Sequence, residues 1–245
     1  MAANKTIIAF DLYGTLLSTG SIAKQLEGLV GSEQKASQIA TAWRKYQLEY
    51  TWRLNSMGQF DTFFNVTRNS LSHALAESNA ELRNEDIDVL MKAYDSLSTF
   101  PDVIPALTSL AANPDITAVV FSNGTQSMVS NSVFHSKDLS PHAGVFHDMV
   151  TVDSVKKYKP APEVYFHLAE KMGKQQSQMG DMWLVSGNPF DIVGARSVGM
   201  KAAWVDRAGH GWQDAVMPEL QPTVIGAGLD EITLPQAVSH AMELN

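Results

Sequence analysis

The chain has 245 residues, 44% of them hydrophobic, a net charge of −8 and no cysteine. That length suits one core with an insertion. The acidic balance, with no basic run, argues against a nucleic-acid partner, and the lack of thiols excludes disulfides, thiolate nucleophiles and cysteine-ligated metals. No apolar stretch approaches the roughly 18 residues of a membrane span, and the first apolar run is too short for a signal-peptide core, so a cytoplasmic protein without a membrane partner is expected.

The first element, from Thr6 through Ala9 and Phe10 to Asp11, is an apolar strand ending in a lone carboxylate, followed by Leu12, Tyr13, Gly14 and Thr15. Such a layout holds one reactive oxygen at the carboxyl edge of a buried parallel strand. Helical periodicity then runs from Ser21 to Val30 and from Glu33 to Leu54, where Ile39, Trp43, Tyr46 and Tyr50 recur. It continues over Phe60 to Ala76 and Glu81 to Ser96, so residues 18–98 read as a helical insertion behind the first strand. Pro101 and Pro105 mark re-entry, and Ile116 to Phe121 is a second buried strand ending at Ser122-Asn123-Gly124.

Val145 to Val152 is a shorter strand, Pro162 to Met172 a helix opened by proline, and Met182 to Val185 a strand ending at Ser186-Gly187-Asn188. A helix from Asp191 to Val198, closed by Gly199, a strand from Lys201 to Val205 and a last helix around Pro235 to Leu244 complete the chain. Strands alternating with helices indicate parallel βαβ units. The fold class is therefore α/β, a Rossmann-like parallel core (residues 1–17 and 99–245) carrying a helical cap (residues 18–98).

Polar residues gather where apolar strands end: Asp11 and Thr15, then Ser122 and Asn123, then Ser186, Asn188 and Asp191. Residues far apart in sequence converge at the carboxyl ends of an open parallel sheet. Each serine, asparagine or aspartate alone is equally an ordinary helix cap. Lys159, just before a proline-opened helix, is by default a solvated residue; beside Asp11 its charge favours the carboxylate form that a nucleophile needs. The seven histidines show no metal-binding spacing.

In order and register these elements resemble the motifs of the haloacid dehalogenase superfamily: Asp11-Leu12-Tyr13-Gly14-Thr15, Ser122-Asn123, Lys159-Pro160 and Ser186 to Asp191. Phosphatases of that superfamily carry a second aspartate where Tyr13 stands, and acidic magnesium ligands where Ser186 and Asn188 stand. A tyrosine hydroxyl is a poor proton donor for that purpose, and one carboxylate besides Asp11 is a thin set for a hard cation. Both differences are similar to the (S)-2-haloacid dehalogenases, as is the Trp43-Arg44 to Trp52 stretch.

The resemblance implies that Asp11 attacks C2 of a short 2-haloalkanoate, inverts it and forms an aspartyl ester, which water then hydrolyses without metal or cofactor. It assigns the departing halide to Arg44 and Asn123, with Phe190 as an apolar wall. Ser122 and the backbone amides of Leu12 and Tyr13 take the substrate carboxylate. Asp191 serves the hydrolytic water, oriented by Ser186 and Asn188; Lys159 and Thr15 hold Asp11; Tyr165 matches an active-site tyrosine. Leu48 and Phe63 line the cap side, with Arg44 on the helix face of Leu48 and Trp52. The chain departs from the pattern at Lys45, Gly187, Pro189 and Phe190. A homodimer is compatible with the resemblance, and a magnesium-dependent phosphatase or a silent carboxylate-binding protein are the competing readings.

Overall fold

The computed structural model describes residues 5–232. Strands β1 (Thr6–Asp11), β2 (Ile116–Ser122), β3 (Phe146–Thr151), β4 (Met182–Ser186), β5 (Lys201–Val205) and β6 (Val224–Gly226) pair in parallel in the order β3-β2-β1-β4-β5-β6. β1 is central and buried from Ile7 to Asp11. Helices cover both faces of such a sheet, which is why this strand is a continuous apolar run and not an alternating one. Strand order reverses at β1, so the crevice for a ligand lies beyond the carboxyl ends of β1, β2 and β4.

Helices α1 (Ala23–Val30), α2 (Glu33–Ser56), α3 (Phe63–Glu77) and α4 (Asn84–Ala93), with short 3-10 turns at Thr19–Ile22 and Tyr94–Ser96, fill the excursion between β1 and α5 (Val103–Ala111). Its two ends run side by side: Leu17 pairs with Thr99, and the Ser18 N–H donates to the Ser98 carbonyl at 2.8 Å. α2 is started by the Ser32 hydroxyl, which accepts from the Lys35 N–H, and buries Ala36, Ile39, Ala40, Trp43 and Gln47 along one face. α3 begins at Phe63, three residues later than the apolar pattern implies, because Thr62 caps it by accepting from the Asn65 N–H at 3.2 Å.

Helices α6 (Gln126–Phe134), α7 (Pro162–Lys171), α8 (Pro189–Ser197) and α9 (Leu229–Ile232) complete the layers. α8 opens at Pro189, ahead of the expected Asp191, since proline suits the first helical position. Four elements escape the sequence reading, among them the short α9. α5 carries Pro105 at its third position, where no intrahelical N–H bond is needed, so the proline that suggested a loop lies inside a helix. α6 has a mostly polar sequence, and β6 has three residues. The helix expected at 235–244 lies outside the described residues. Among the described residues no helix is long and apolar enough to cross a membrane.

Candidate active site

Asp11 ends β1 buried, and side chains from three other segments converge on its carboxylate. Oδ1 accepts from Lys159 Nζ at 3.1 Å, while Oδ2 accepts from Thr15 Oγ1 at 2.7 Å, Asn188 Nδ2 at 2.7 Å and Ser186 Oγ at 3.4 Å. Asn188 is the N-cap residue of α8, yet its side chain makes no capping bond and points at Asp11 and the Tyr13 carbonyl instead. Ser186 and Asn188 therefore meet Asp11, whereas the sequence reading placed them around the water served by Asp191. The reason is the pairing of β4 directly beside β1, which brings their carboxyl ends together.

Lys159 is almost wholly buried and carries the second half of the site. Its ammonium donates to Asp191 Oδ2 at 2.7 Å and to the Phe121 carbonyl at 2.8 Å, and lies 4.0 Å from the centre of the Phe121 ring. Asp191 has no exposed surface; its other oxygen accepts from the Tyr165 hydroxyl at 2.7 Å. Burial pushes the Asp191 carboxyl up to about 6, and the nearby Asp11 charge adds to the rise, while Lys159 and the Tyr165 hydrogen bond oppose it. Burial also pushes the Tyr165 phenol well above its ordinary value. One carboxylate is thus surrounded by donors and a second is poised in the range where a base exchanges protons.

Arg44, on α2, reaches across from the helical excursion. Its Nη2 donates to the Tyr13 carbonyl at 2.9 Å and Asn188 Oδ1 at 3.2 Å, and Nη1 donates to Gln47 Oε1 at 2.7 Å. Gly14 permits this approach: with φ at +89° a side chain would be strained, and its Cβ would lie 3.1 Å from Asn188 and 3.5 Å from Arg44. Gly187 is equally constrained, since a Cβ there would fall 2.6 Å from the Gly14 carbonyl. Lys45, by contrast, is exposed and lies over the Tyr46 ring, 5.5 Å from its centre.

Tyr13 contributes its carbonyl rather than its phenol. Its ring stacks on Phe63 at 5.7 Å and leans on Tyr94 at 5.4 Å, and its hydroxyl is buried away from Asp11 on the side of Ser132. Burial holds that phenol above its ordinary value, so it is a worse acid than a free tyrosine. Asn123 turns its oxygen to the Lys159 N–H at 3.0 Å, and Ser122 Oγ accepts from the Gly124 N–H at 3.0 Å, a turn-locking bond of the ordinary kind. Leu48 is half-buried on α2. Phe190 packs edge-on against the half-exposed Trp52, 5.4 Å between ring centres, and lines with it an apolar groove of about 740 Å³ that also takes in Pro160, Val193, Val216 and Met217.

The donor set does not fit a divalent cation. The Lys159 ammonium lies between the two carboxylates, and Asn188 presents its NH2 group, not its oxygen, to Asp11. Among the described residues no cluster of three histidine or acidic side chains has metal-binding geometry.

Several residues of the site went unread in the sequence. Gln47 is fully buried and holds Arg44; a polar residue on an apolar helix face, three after an arginine, was its signal. Arg207 donates to the Thr15 carbonyl at 2.8 Å while paired with Asp102, and Asn55 bonds both backbone groups of Tyr158 at 2.7 and 2.9 Å, steadying the approach to Lys159. Neither has a local signal, because each meets its partner across more than a hundred residues.

Comparison with known proteins adds the chemistry associated with such a site. The haloacid dehalogenase-like hydrolase family matches residues 5–199. A (S)-2-haloacid dehalogenase of Pseudomonas putida is 32% identical over 88% of this chain and 90% of its own. (S)-2-haloacid dehalogenase 2 of a Pseudomonas species is 31% identical over 96% of both. The solved L-2-haloacid dehalogenase of Xanthobacter autotrophicus superposes with a TM-score of 0.80 at 25% identity, over 94% of this chain and 97% of that one.

Proposed function

The chain belongs to the haloacid dehalogenase-like hydrolase family, and from that premise we propose that it hydrolyses the carbon–halogen bond of short (S)-2-haloalkanoic acids to (R)-2-hydroxy acids without a metal. Asp11 attacks C2 opposite the halogen; the C2–oxygen bond forms as the halide leaves with the bonding electrons. Water then adds to the Asp11 carbonyl carbon as Asp191 takes one of its protons; the tetrahedral intermediate collapses with the second passing to the departing oxygen, which frees the hydroxy acid and the Asp11 carboxylate, and Asp191 returns its proton to solvent.

The observation that carries this reading is Lys159, whose ammonium bridges Asp11 and Asp191 where a metal-dependent relative needs a cation. The remaining roles follow: Arg44 and Asn123 for halide, Phe190 as the apolar wall, Ser122 with the Leu12 and Tyr13 amides for the substrate carboxylate, Leu48 and Phe63 for substrate size. Residues 18–98 serve as the cap over a core of 1–17 and 99–245, and the working form is assigned as a cytoplasmic homodimer, which light scattering of the purified protein checks.

The test measures halide release from (S)-2-chloropropionate and phosphate release from a generic monoester, each with and without chelator. Chelator-insensitive halide release is expected. Metal-dependent phosphate release alone overturns the proposal, as does thermal stabilisation by haloacid without turnover. A single turnover in heavy-oxygen water then places the label in Asp11 and leaves the first product unlabelled; label in that product means that water attacked C2 directly.

A further inference from the structure

Arg44 is held from behind by a run of hydrogen bonds whose direction has only one solution. A guanidinium has donors alone, so the Gln47 group facing Nη1 at 2.7 Å must be its oxygen. That oxygen also accepts from the Tyr94 hydroxyl at 3.1 Å. The Gln47 nitrogen is thereby turned to Thr67 Oγ1 at 2.7 Å, and the Thr67 proton goes to the Phe63 carbonyl at 2.6 Å. Gln47 and Thr67 are fully buried, and Tyr94 nearly so. On the other side Arg44 Nη2 claims the Asn188 oxygen, which leaves the Asn188 nitrogen for Asp11. Every bond of the run points away from Arg44, toward the carboxylate on β1 on one side and toward a backbone carbonyl on α3 on the other.

We infer that Gln47 and Thr67 are positioning residues: the Thr67 hydroxyl orients the Gln47 amide, the amide sets the Arg44 guanidinium, and Arg44 aligns the Asn188 amide on Asp11. Neither Gln47 nor Thr67 touches Asp11 or Asn188; the two neutral residues decide where the Arg44 fork points. What this does to rate rests on the dehalogenase reading, in which Arg44 receives the leaving halide. The geometry does not depend on it.

The test compares wild type with Thr67→Val and Thr67→Ser. Valine keeps the shape of Thr67 and removes the acceptor, leaving a buried amide N–H unpaired. Chloride, the poorer leaving group, needs the cation more than bromide does. In T67V, kcat/KM for 2-chloropropionate is expected to fall on the order of tenfold, a loss of about 1.4 kcal/mol, and to fall less for 2-bromopropionate, so that their ratio rises. Solvent exchange of the Arg44 Nε proton, followed by NMR without substrate, quickens, and T67S restores both. Equal losses for the two halides with unchanged Arg44 exchange overturn the inference. If wild type releases no halide, the proposed function fails and the exchange measurement alone decides the positioning. Should T67V not fold, Gln47→Glu takes its place: an ion pair inside the cap draws the fork away from Asn188, and the same rise in the bromide-to-chloride ratio is expected, an unchanged ratio counting against the relay.

Discussion

The core side of the site balances full charges, an ammonium between two carboxylates, whereas the excursion side uses only neutral groups, an amide, a hydroxyl and a phenol, to hold one arginine. Both sets are buried, but they answer to different physics. Removing the ammonium strands two carboxylates in a medium that solvates them poorly. Removing a neutral member costs one to three hydrogen bonds and strands no full charge. Chemistry is therefore anchored where errors are severe, and orientation is delegated to where it is adjustable.

Breaking the charged side gives the largest effect. Asp11→Asn is expected to lower halide release by about four orders of magnitude or more, the scale for loss of a member of a catalytic set, with the melting temperature close to wild type; activity that survives overturns the nucleophile assignment. Lys159→Met comes next, silencing the site and lowering stability by about 3–5 kcal/mol near neutral pH, the usual cost of leaving buried carboxylates unpaired. Urea unfolding across pH checks it: the deficit is expected to shrink as acid protonates the pair.

The acid limb sharpens the comparison at one residue. With Asp191 pushed up to about 6, kcat is expected to fall below that pH as the base assigned to ester hydrolysis takes a proton. A carboxyl whose folded value exceeds its unfolded one adds stability below about pH 4, and that contribution is lost as pH rises through 6. Tyr165→Phe removes a bond to the ionised form, so the limb moves to higher pH; a stationary limb assigns it to another group. The smallest effect is expected at the rim, where Trp52→Ala removes an aromatic pair worth about 0.5–1.5 kcal/mol, shifting KM more than kcat.

Short apolar runs rich in β-branched or aromatic residues and bounded by turn residues made β1, β2 and β4 legible, and with them the polar residues at their ends. The long helices of the excursion were legible through their period. What stayed hidden depended on partners distant in sequence: β6, which is short and pairs only at the sheet edge; Arg207, which braces Thr15 from the far end of the chain; and the aim of Ser186 and Asn188 toward Asp11. The amide of Asn188 illustrates the limit. Its residue type was visible, but which of its two faces meets the carboxylate is decided by an arginine 144 positions away.

Because Leu17 and Thr99 close the excursion against each other, its entry and exit stand at one place beside the sheet whatever the length of chain between them. A helical cassette of different size, spliced between those two positions, leaves every strand register intact. The site is thus divided between strand ends, which hold Asp11, Ser186 and Asn188, and an inserted module, which supplies Arg44 and whose entry lies six residues behind Asp11.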